Sequence, residues 1–391
     1  MLSEIAYKLQ ILLGGFSPLR KLNIYHNREG NPKGRALVSY MPLPVMGDAA
    51  YFRGHSNVWE SAEIVRILNQ LGYAVDLIHW KDAKFVSPRE YDAIFDIHGN
   101  LTRYATLESR TIFHVTGSNP EFSNRAEEQR LNALRERRGV LLAPRRSIGD
   151  EERRTFAGNL ARADLITLIG NEVTSATFPV SIQGKIHRVV ATGSYLPITR
   201  DAGSFSPGKE FLWFNGAGAV HKGLDLAIEV FARNPELVLH LVGPYLKEKD
   251  FVMAYRRELT ESPNIHSHGF VYPASRKFRD ITSRVTAFIS PSCSEGISTS
   301  AITCMQYGMI PLISERSGIN LPPGVGSLFS DCSIEEIETA VLAVAAKNED
   351  EIRKECARGQ IFASQTFSRE EFSRQMMKAL QSLLHCWGEE K

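Results

Sequence analysis

Short apolar runs alternate along this chain with longer stretches in which apolar residues recur every three or four positions. The run at 35–40 predicts a buried strand, and the loop after it contains Pro42, Pro44 and Gly47. A helix fits 58–71, because Val58, Ala62, Val65 and Leu68 share one face and Gly72 supplies a stop. A strand at 74–78 follows, and strands near 93–97, 111–115 and 165–169 continue the alternation, separated by charged helical segments such as 126–137. Short apolar strands alternating with helices specify a parallel sheet covered on both faces.

Between Thr192 and Lys209 the periodicity fades into Gly193, Pro197, Gly203, Pro207 and Gly208, and a domain linker is expected there. The pattern restarts with a strand at 211–214, a helix over 223–233 and a strand at 237–242; later strands fit 285–289 and 309–313. The expected fold class is α/β, with two Rossmann-like domains in tandem over 1–198 and 199–367. Ser333 with Glu336, and Ser368 with Glu371, have the spacing of capping boxes, in which hydroxyl and carboxylate satisfy each other's backbone donors. The remainder, 368–391, is expected to supply a helix that could cross back to the first domain.

Composition narrows the class. At 391 residues the chain exceeds the roughly 250 to 300 at which one core usually splits, and 43 % apolar with 23 % charged residues describes an ordinary folded protein. A net charge of +2 argues against nucleic acid as partner. The basic excess is local, at Lys8, Arg20, Lys21, Arg28, Lys33 and Arg35, and Leu2, Ile5, Leu9 and Leu12 or Leu13 fall at helical spacing. This N-terminal segment could make peripheral contact with anionic lipid, or pack as a helix on its own domain. No apolar stretch approaches the roughly 18 residues of a membrane helix and no signal-peptide pattern opens the chain, so a cytoplasmic protein is expected, at most touching the inner face of the membrane. Five cysteines without a Cys-x-x-Cys pair suggest reduced thiols.

Two segments carry candidate chemistry. Asn215 to Gly223, Asn-Gly-Ala-Gly-Ala-Val-His-Lys-Gly, lies between an expected strand and a helix whose apolar face is Leu224, Ala227, Ile228 and Phe231. Small residues let a ligand approach the backbone, a helix start presents free amides, and Lys222 adds a full charge, so phosphate fits; a tight strand-to-helix turn also needs glycine on steric grounds alone. Pro291 to Ser298 occupies the equivalent place before a helix with Ile297, Ala301, Ile302 and Met305 inward. Its Glu295 could accept from two neighbouring sugar hydroxyls, or simply favour the helix start.

In this order the two segments resemble the donor half of GT-B glycosyltransferases, particularly the retaining family 4, whose members pair a Gly-Arg-x-x-x-x-Lys-Gly loop with a Glu-Gly-x-x-x-x-x-x-Glu helix start. His268, Gly269, Phe270 and Val271 resemble the family's His-Gly-Phe-Val segment, and Gly308 to Pro311 its Gly-x-Pro strand. Gly47, the helix over 58–71 and the Leu71 to Val75 exit look like its acceptor-domain opening. The resemblance covers most of the chain and is strongest from 211 to 315. It implies a GT-B fold and transfer of a sugar from a nucleoside-diphosphate-sugar to a glycan or lipid-linked glycan acceptor, with retention and without metal or cofactor. Lys222 and Glu295 would be the catalytic pair, with Lys222 and the amides near Gly218 stabilising the leaving diphosphate. Gly216, Gly218, His221, Gly269, Phe270 and Ser294 would line the donor site, together with Gly296, Ile297, Ser298, Thr299 and Thr303. Gly47, His55, His98, His114 and Thr116 would face the acceptor or the cleft.

Three positions depart from that pattern: Ala217 stands at the loop arginine, Thr303 at the second glutamate and Thr116 at the acceptor-side histidine. They keep two alternatives open, a non-catalytic GT-B module that binds a glycan or a partner protein, and a sugar-nucleotide epimerase. Arg137, Arg138, Arg145 and Arg146 could meet an acceptor phosphate or, with the interleaved acids Glu136, Asp150, Glu151 and Glu152, form a solvated surface. No metal-ligand spacing and no Gly-x-Ser-x-Gly or Cys/His arrangement is present.

Overall fold

The structure, a computed structural model, describes residues 20–25, 31–42, 56–82, 84–194, 200–201 and 205–384. Gly47, His55, the apolar N-terminal positions from Leu2 to Leu13, and Cys386 lie outside the described residues.

The first half builds a seven-stranded sheet from β1 (Arg20–Ile24), β2 (Gly34–Tyr40), β3 (Tyr73–His79), β4 (Ala93–Asp96), β5 (Arg110–Val115), β6 (Leu165–Ile169) and β7 (Ile186–Val189). Its order is β1-β3-β2-β4-β5-β6-β7, with every pair parallel except β1, which runs antiparallel on β3. The second half builds a six-stranded, wholly parallel sheet from β8 (Glu210–Phe214), β9 (Val238–Val242), β10 (Ile265–Gly269), β11 (Val285–Ser290), β12 (Ile310–Ser314) and β13 (Ser327–Phe329), ordered β10-β9-β8-β11-β12-β13. The central strands are buried along their length, as a sheet covered on both faces requires. In each sheet the chain winds outward on one side and then crosses to the other, at β2/β4 and at β8/β11. Ligands of such sheets bind at the carboxyl ends beside these switch points.

The last helix, Arg369–Leu384, does cross back. Phe372, Met376, Leu380 and Leu384 recur every four residues and are buried on one face. Phe372 meets Trp59 edge-on at 5.4 Å between ring centres, and the Gln375 side-chain carbonyl accepts from the Val190 N–H at 2.8 Å.

The helix Pro120–Arg138 follows β5 in the first half, but its far end leaves that half. Leu134, and Leu142 just beyond, pack into the core under the second sheet with Phe251 and Tyr255. Arg137 pairs there with the fully buried Asp225 at 2.8 Å and with Glu229 at 3.1 Å, while Arg138 pairs with Glu258 at 2.7 Å and stacks on Tyr255. The four arginines therefore do not form one solvated surface.

The capping expectations need correction. Ser333 accepts from the Glu336 N–H at 3.2 Å, but the Glu336 carboxylate serves Ser330 and Cys332, and Asp331 takes the Ser333 N–H. Ser368 accepts from Glu371 at 3.0 Å, while the Glu371 carboxylate is drawn to Arg374 and Gln375. The reciprocal pair is at Asn348 and Glu351, opening the helix Glu349–Thr366. Cys293, Cys304, Cys332 and Cys356 are buried free thiols. Among the described residues no helix is long and apolar enough to cross a membrane.

Candidate functional site

The carboxyl ends of the two sheets face one cavity of about 960 Å³, the size range of small-ligand sites. Tyr40, Glu60, Trp80, His98, Thr116 and Arg146 line it from the first half, and Asn215, His221, Phe270, Glu295 and Thr299 from the second.

The 215–223 loop is fastened from several sides. Lys222 N–H donates to the Gly218 carbonyl at 2.8 Å and Leu224 N–H to Ala219 at 2.9 Å, closing the turn before the helix Leu224–Arg233. Gly223 has a φ of +70° and a Cβ there would lie 2.6 Å from the Pro291 carbonyl, so only glycine lets this loop sit on the end of β11. From below, the Trp213 indole N–H donates to the Lys222 carbonyl at 3.1 Å. The loop is also tied to the Pro291–Ser298 segment: Cys293 N–H donates to the His221 carbonyl at 2.9 Å, and His221 Nε2 lies 2.8 Å from the Ser294 carbonyl. A carbonyl only accepts, so that nitrogen carries the proton and Nδ1 presents a lone pair. Burial, followed by the Lys222 charge, lowers the His221 pKa to about 4, which keeps the ring neutral.

Lys222 Nζ and Glu295 Oε1 are in direct contact, with side chains only 11 % and 12 % exposed. Burial alone would raise the Glu295 carboxyl, but the Lys222 charge and the hydrogen bonds from Lys222 and Ser292 outweigh it and hold the pKa below its ordinary value. Glu295 does not cap the following helix; Ser298 does, accepting from Ala301 at the start of Thr299–Gln306. The first half holds the same backbone: Ser118 donates to the Glu295 carbonyl at 2.6 Å and Thr174 to the Gly296 carbonyl at 3.0 Å. A Cβ on Gly296 would lie 2.5 Å from the Thr116 carbonyl oxygen and 2.6 Å from that of Ile169, so the two halves touch at a glycine.

Most expected site residues gather on this cavity: Gly216, His221, Phe270, Ser294, Glu295, Gly296, Ile297, Thr299, Thr303, His98 and Thr116 all line it. Gly218, Lys222, Gly269 and Ser298 do not, although Lys222 reaches it through Glu295. His114 is a correction: it lies fully buried between Tyr40 and Phe95, with Nδ1 2.8 Å from Thr167 Oγ1, and burial lowers its pKa to about 3. The amides near Gly218 are another. Gly218 N–H and Ala219 N–H donate to the carboxylate of Glu248 at 2.7 and 3.0 Å, so these donors are already filled by an anion of the chain itself. Thr303 donates to the Thr299 carbonyl at 2.7 Å and accepts from the Ser194 N–H at 2.9 Å, leaving one lone pair for a ligand.

Three features were not read from the sequence. Glu60 and Tyr40 are buried in the wall with a 3.0 Å hydrogen bond from the phenol, and burial, opposed by that bond, raises the Glu60 pKa to about 7. A charged residue in an amphipathic helix gives no sign of this. Trp80 stacks on His98 at 4.6 Å, and His98 Nε2 lies 3.1 Å from Glu152 Oε1; Trp80 just past the end of β3 was a readable signal. Glu248 is joined to the loop only by tertiary structure. Among the described residues no group of three or more His, Cys, Asp or Glu side chains could hold a metal ion.

Residues 198–359 match the family described as Glycosyl transferases group 1. No curated protein is a significant match to the chain. Sucrose-phosphate synthase from Thermosynechococcus elongatus aligns over 90 % of this chain and 99 % of its own, at 14 % identity and a TM-score of 0.62. HepE of Anabaena, solved in complex with UDP and glucose, aligns over 90 % of this chain and 100 % of its own, at 13 % identity and a TM-score of 0.56. S. aureus TarM aligns over 75 % of this chain at 11 % identity and a TM-score of 0.53, and this chain spans 55 % of the length of that one. At such identities the likeness carries the fold, and the fold is GT-B.

Proposed function

We propose that this chain transfers a sugar, with retention of configuration as in family 4, from a nucleoside-diphosphate-sugar to a glycan or lipid-linked glycan acceptor. Protein cations rather than a metal ion would face the diphosphate. The observation that carries this reading is the meeting of Lys222 and Glu295, borne on separate strand-to-helix junctions, at the wall of a cavity between the two sheets. The family match spans both residues, and HepE holds UDP and glucose in the same fold. In this reading residues 199–367 form the donor unit and 1–198 the acceptor unit, with 368–391 crossing back.

Glu295, kept ionised by Lys222, would accept from the donor sugar's hydroxyls, and the Lys222 charge would offset negative charge developing on the leaving diphosphate. Gly216, Phe270, Ser294, Thr299 and Thr303 would wall the donor, and His98, Thr116, Trp80 and Glu60 the acceptor side. The phosphate-stabilising part given to the Gly218 amides passes elsewhere, because Glu248 fills them.

A panel of UDP-, ADP- and GDP-sugars screened by melting temperature tests the reading, since a ligand that binds the folded state raises the midpoint. One of them should stabilise the protein and release nucleotide only with an acceptor. Glu295→Gln should lower that release by about 100-fold or more, the scale of losing one transition-state contact. The filled Gly218 and Ala219 amides favour a second reading, a GT-B module that binds without turnover. Stabilisation by an oligosaccharide with none by any nucleotide sugar would select it.

A further inference from the structure

The charge balance of the cavity wall leaves one question about how a diphosphate is held. A nucleoside diphosphate brings at least two negative charges into a partly enclosed space and needs cations there that are not already neutralised. Lys222 shares its single charge with Glu295 at contact distance and cannot balance two negative charges by itself. The 215–223 loop contributes little more: Glu248 fills the Gly218 and Ala219 amides, and Ala217 at its exposed tip carries no charge. Among the described wall residues, the remaining lysines and arginines are Arg145 and Arg146. Arg145 is paired with Asp250 and lies 3.8 Å from Glu248.

Arg146 differs. Among the described residues its guanidinium has no hydrogen bond and no acidic partner, although the guanidinium groups of its neighbours Arg137, Arg138 and Arg145 all have one. Its backbone is fixed: the buried carboxylate of Glu127 accepts the N–H of Arg145 at 3.0 Å and that of Arg146 at 3.1 Å. Its stem lies across the loop of the opposite half. A Cβ on Gly218 would fall 2.8 Å from Arg146 Cγ and 3.3 Å from Cδ, so the absent side chain at Gly218 is what admits the arginine. Its charge already acts on the site, being one of the cations that oppose protonation of His221.

We infer that Arg146, supplied by the first half of the chain, is the cation that binds the donor diphosphate across the cavity, in the place where the 215–223 loop offers only Ala217. The inference rests on the nucleotide-sugar reading above and deepens it. A guanidinium suits the task because its planar fork can donate two parallel hydrogen bonds to one phosphate. Arg146 is then a binding residue, and donor affinity depends on the first half staying docked against the second.

Isothermal titration of the full chain with UDP, ADP and GDP identifies the tightest diphosphate, which is then titrated against Arg146→Ala, Arg146→Lys and Arg145→Ala at two salt concentrations. Arg146→Ala should weaken binding by about 10- to 100-fold, the range for hydrogen bonds to a charged group, without moving the ligand-free melting midpoint. It should also flatten the salt dependence. Arg146→Lys should fall between, keeping the charge but not the fork, and Arg145→Ala should change affinity less than about threefold because that arginine is already paired. Unchanged affinity in Arg146→Ala, or an equal loss in Arg145→Ala, overturns the assignment of Arg146 and leaves the donor reading standing. Failure of the wild-type protein to bind any of the three diphosphates overturns both.

Discussion

Replacing Lys222 with methionine removes an ammonium from a contact that is almost out of water and leaves the Glu295 carboxylate behind. Both side chains are about nine-tenths buried, at 11 % and 12 % exposure. Breaking a buried pair from one side costs about 3–5 kcal/mol because the remaining charge is uncompensated. The low end applies here, since the Ser292 hydroxyl still favours the ionised form. About 3 kcal/mol corresponds to a fall of about 6–12 °C in melting midpoint for a unit of this size. The loss should depend on pH in a defined direction. In the wild type Lys222 holds the Glu295 pKa below its unfolded value, so the pair contributes fully at neutral pH, and the contribution fades as acid protonates the carboxylate. Without Lys222, burial becomes the dominant influence and raises that pKa. Glu295 in the variant then takes up a proton at mildly acidic pH, and the gap between variant and wild type narrows. The double variant Lys222→Met/Glu295→Gln should recover most of the loss at pH 7.5, because no charge is stranded. Urea unfolding of the four proteins at pH 7.5 and 5.0 reads the cycle. A single variant as stable as the double at pH 7.5, or a gap that does not shrink at pH 5.0, would refute the electrostatic account of this site.

Gly296→Ala should drive the halves apart, since its Cβ meets two carbonyl oxygens at 2.5 and 2.6 Å and backbone cannot rotate away as a side chain can; a loss of about 1–3 kcal/mol with a larger radius in small-angle scattering is expected, and a wild-type scattering profile would contradict it. Glu60→Gln should stabilise the protein at alkaline pH. The Glu60 pKa is raised to about 7, so the unfolded chain ionises first and the native state is progressively penalised as pH rises from about 4.5 through 7, by an amount approaching about 3 kcal/mol. Urea midpoints of the two proteins should converge at pH 4 and separate at pH 8.5, and parallel curves would show that the carboxyl is not held neutral.

How much of this was legible depended on burial. Strands β2 to β6, β8, β9, β11 and β12 lie inside their sheets and appear as apolar runs, apart from polar residues such as Asp76 and His114 that find buried partners. β1, β7, β10 and β13 are sheet edges: Arg20–Ile24 has three exposed residues in succession, and Ile265–Gly269 carries two histidines, so neither of these two shows an apolar period. Lys222 and Glu295 could be picked out because strand-to-helix junctions are visible in sequence. Their neighbours' commitments were not. That Glu248 would fill the Gly218 amides, that Ser194 would draw the Thr303 hydroxyl, and that His114 would sit behind the wall are all set by which segments the fold brings together. The same limit separated the true capping box at Asn348 from the two half-formed ones, because a glutamate at the right spacing pairs with whichever donor is nearest.

The far end of the helix Pro120–Arg138 has a bearing on biosynthesis. Leu134 and Leu142 complete an apolar cluster whose other members begin at Phe205 and run to Cys356. A ribosome therefore releases the first half with an oily, arginine-tipped spur whose docking site is finished only after more than a hundred further residues have been made. A polypeptide begun at the linker would lack that spur and leave Asp225 buried without the guanidinium that answers it. The two halves are consequently not separable parts that merely lie side by side, and each is finished by a piece of the other.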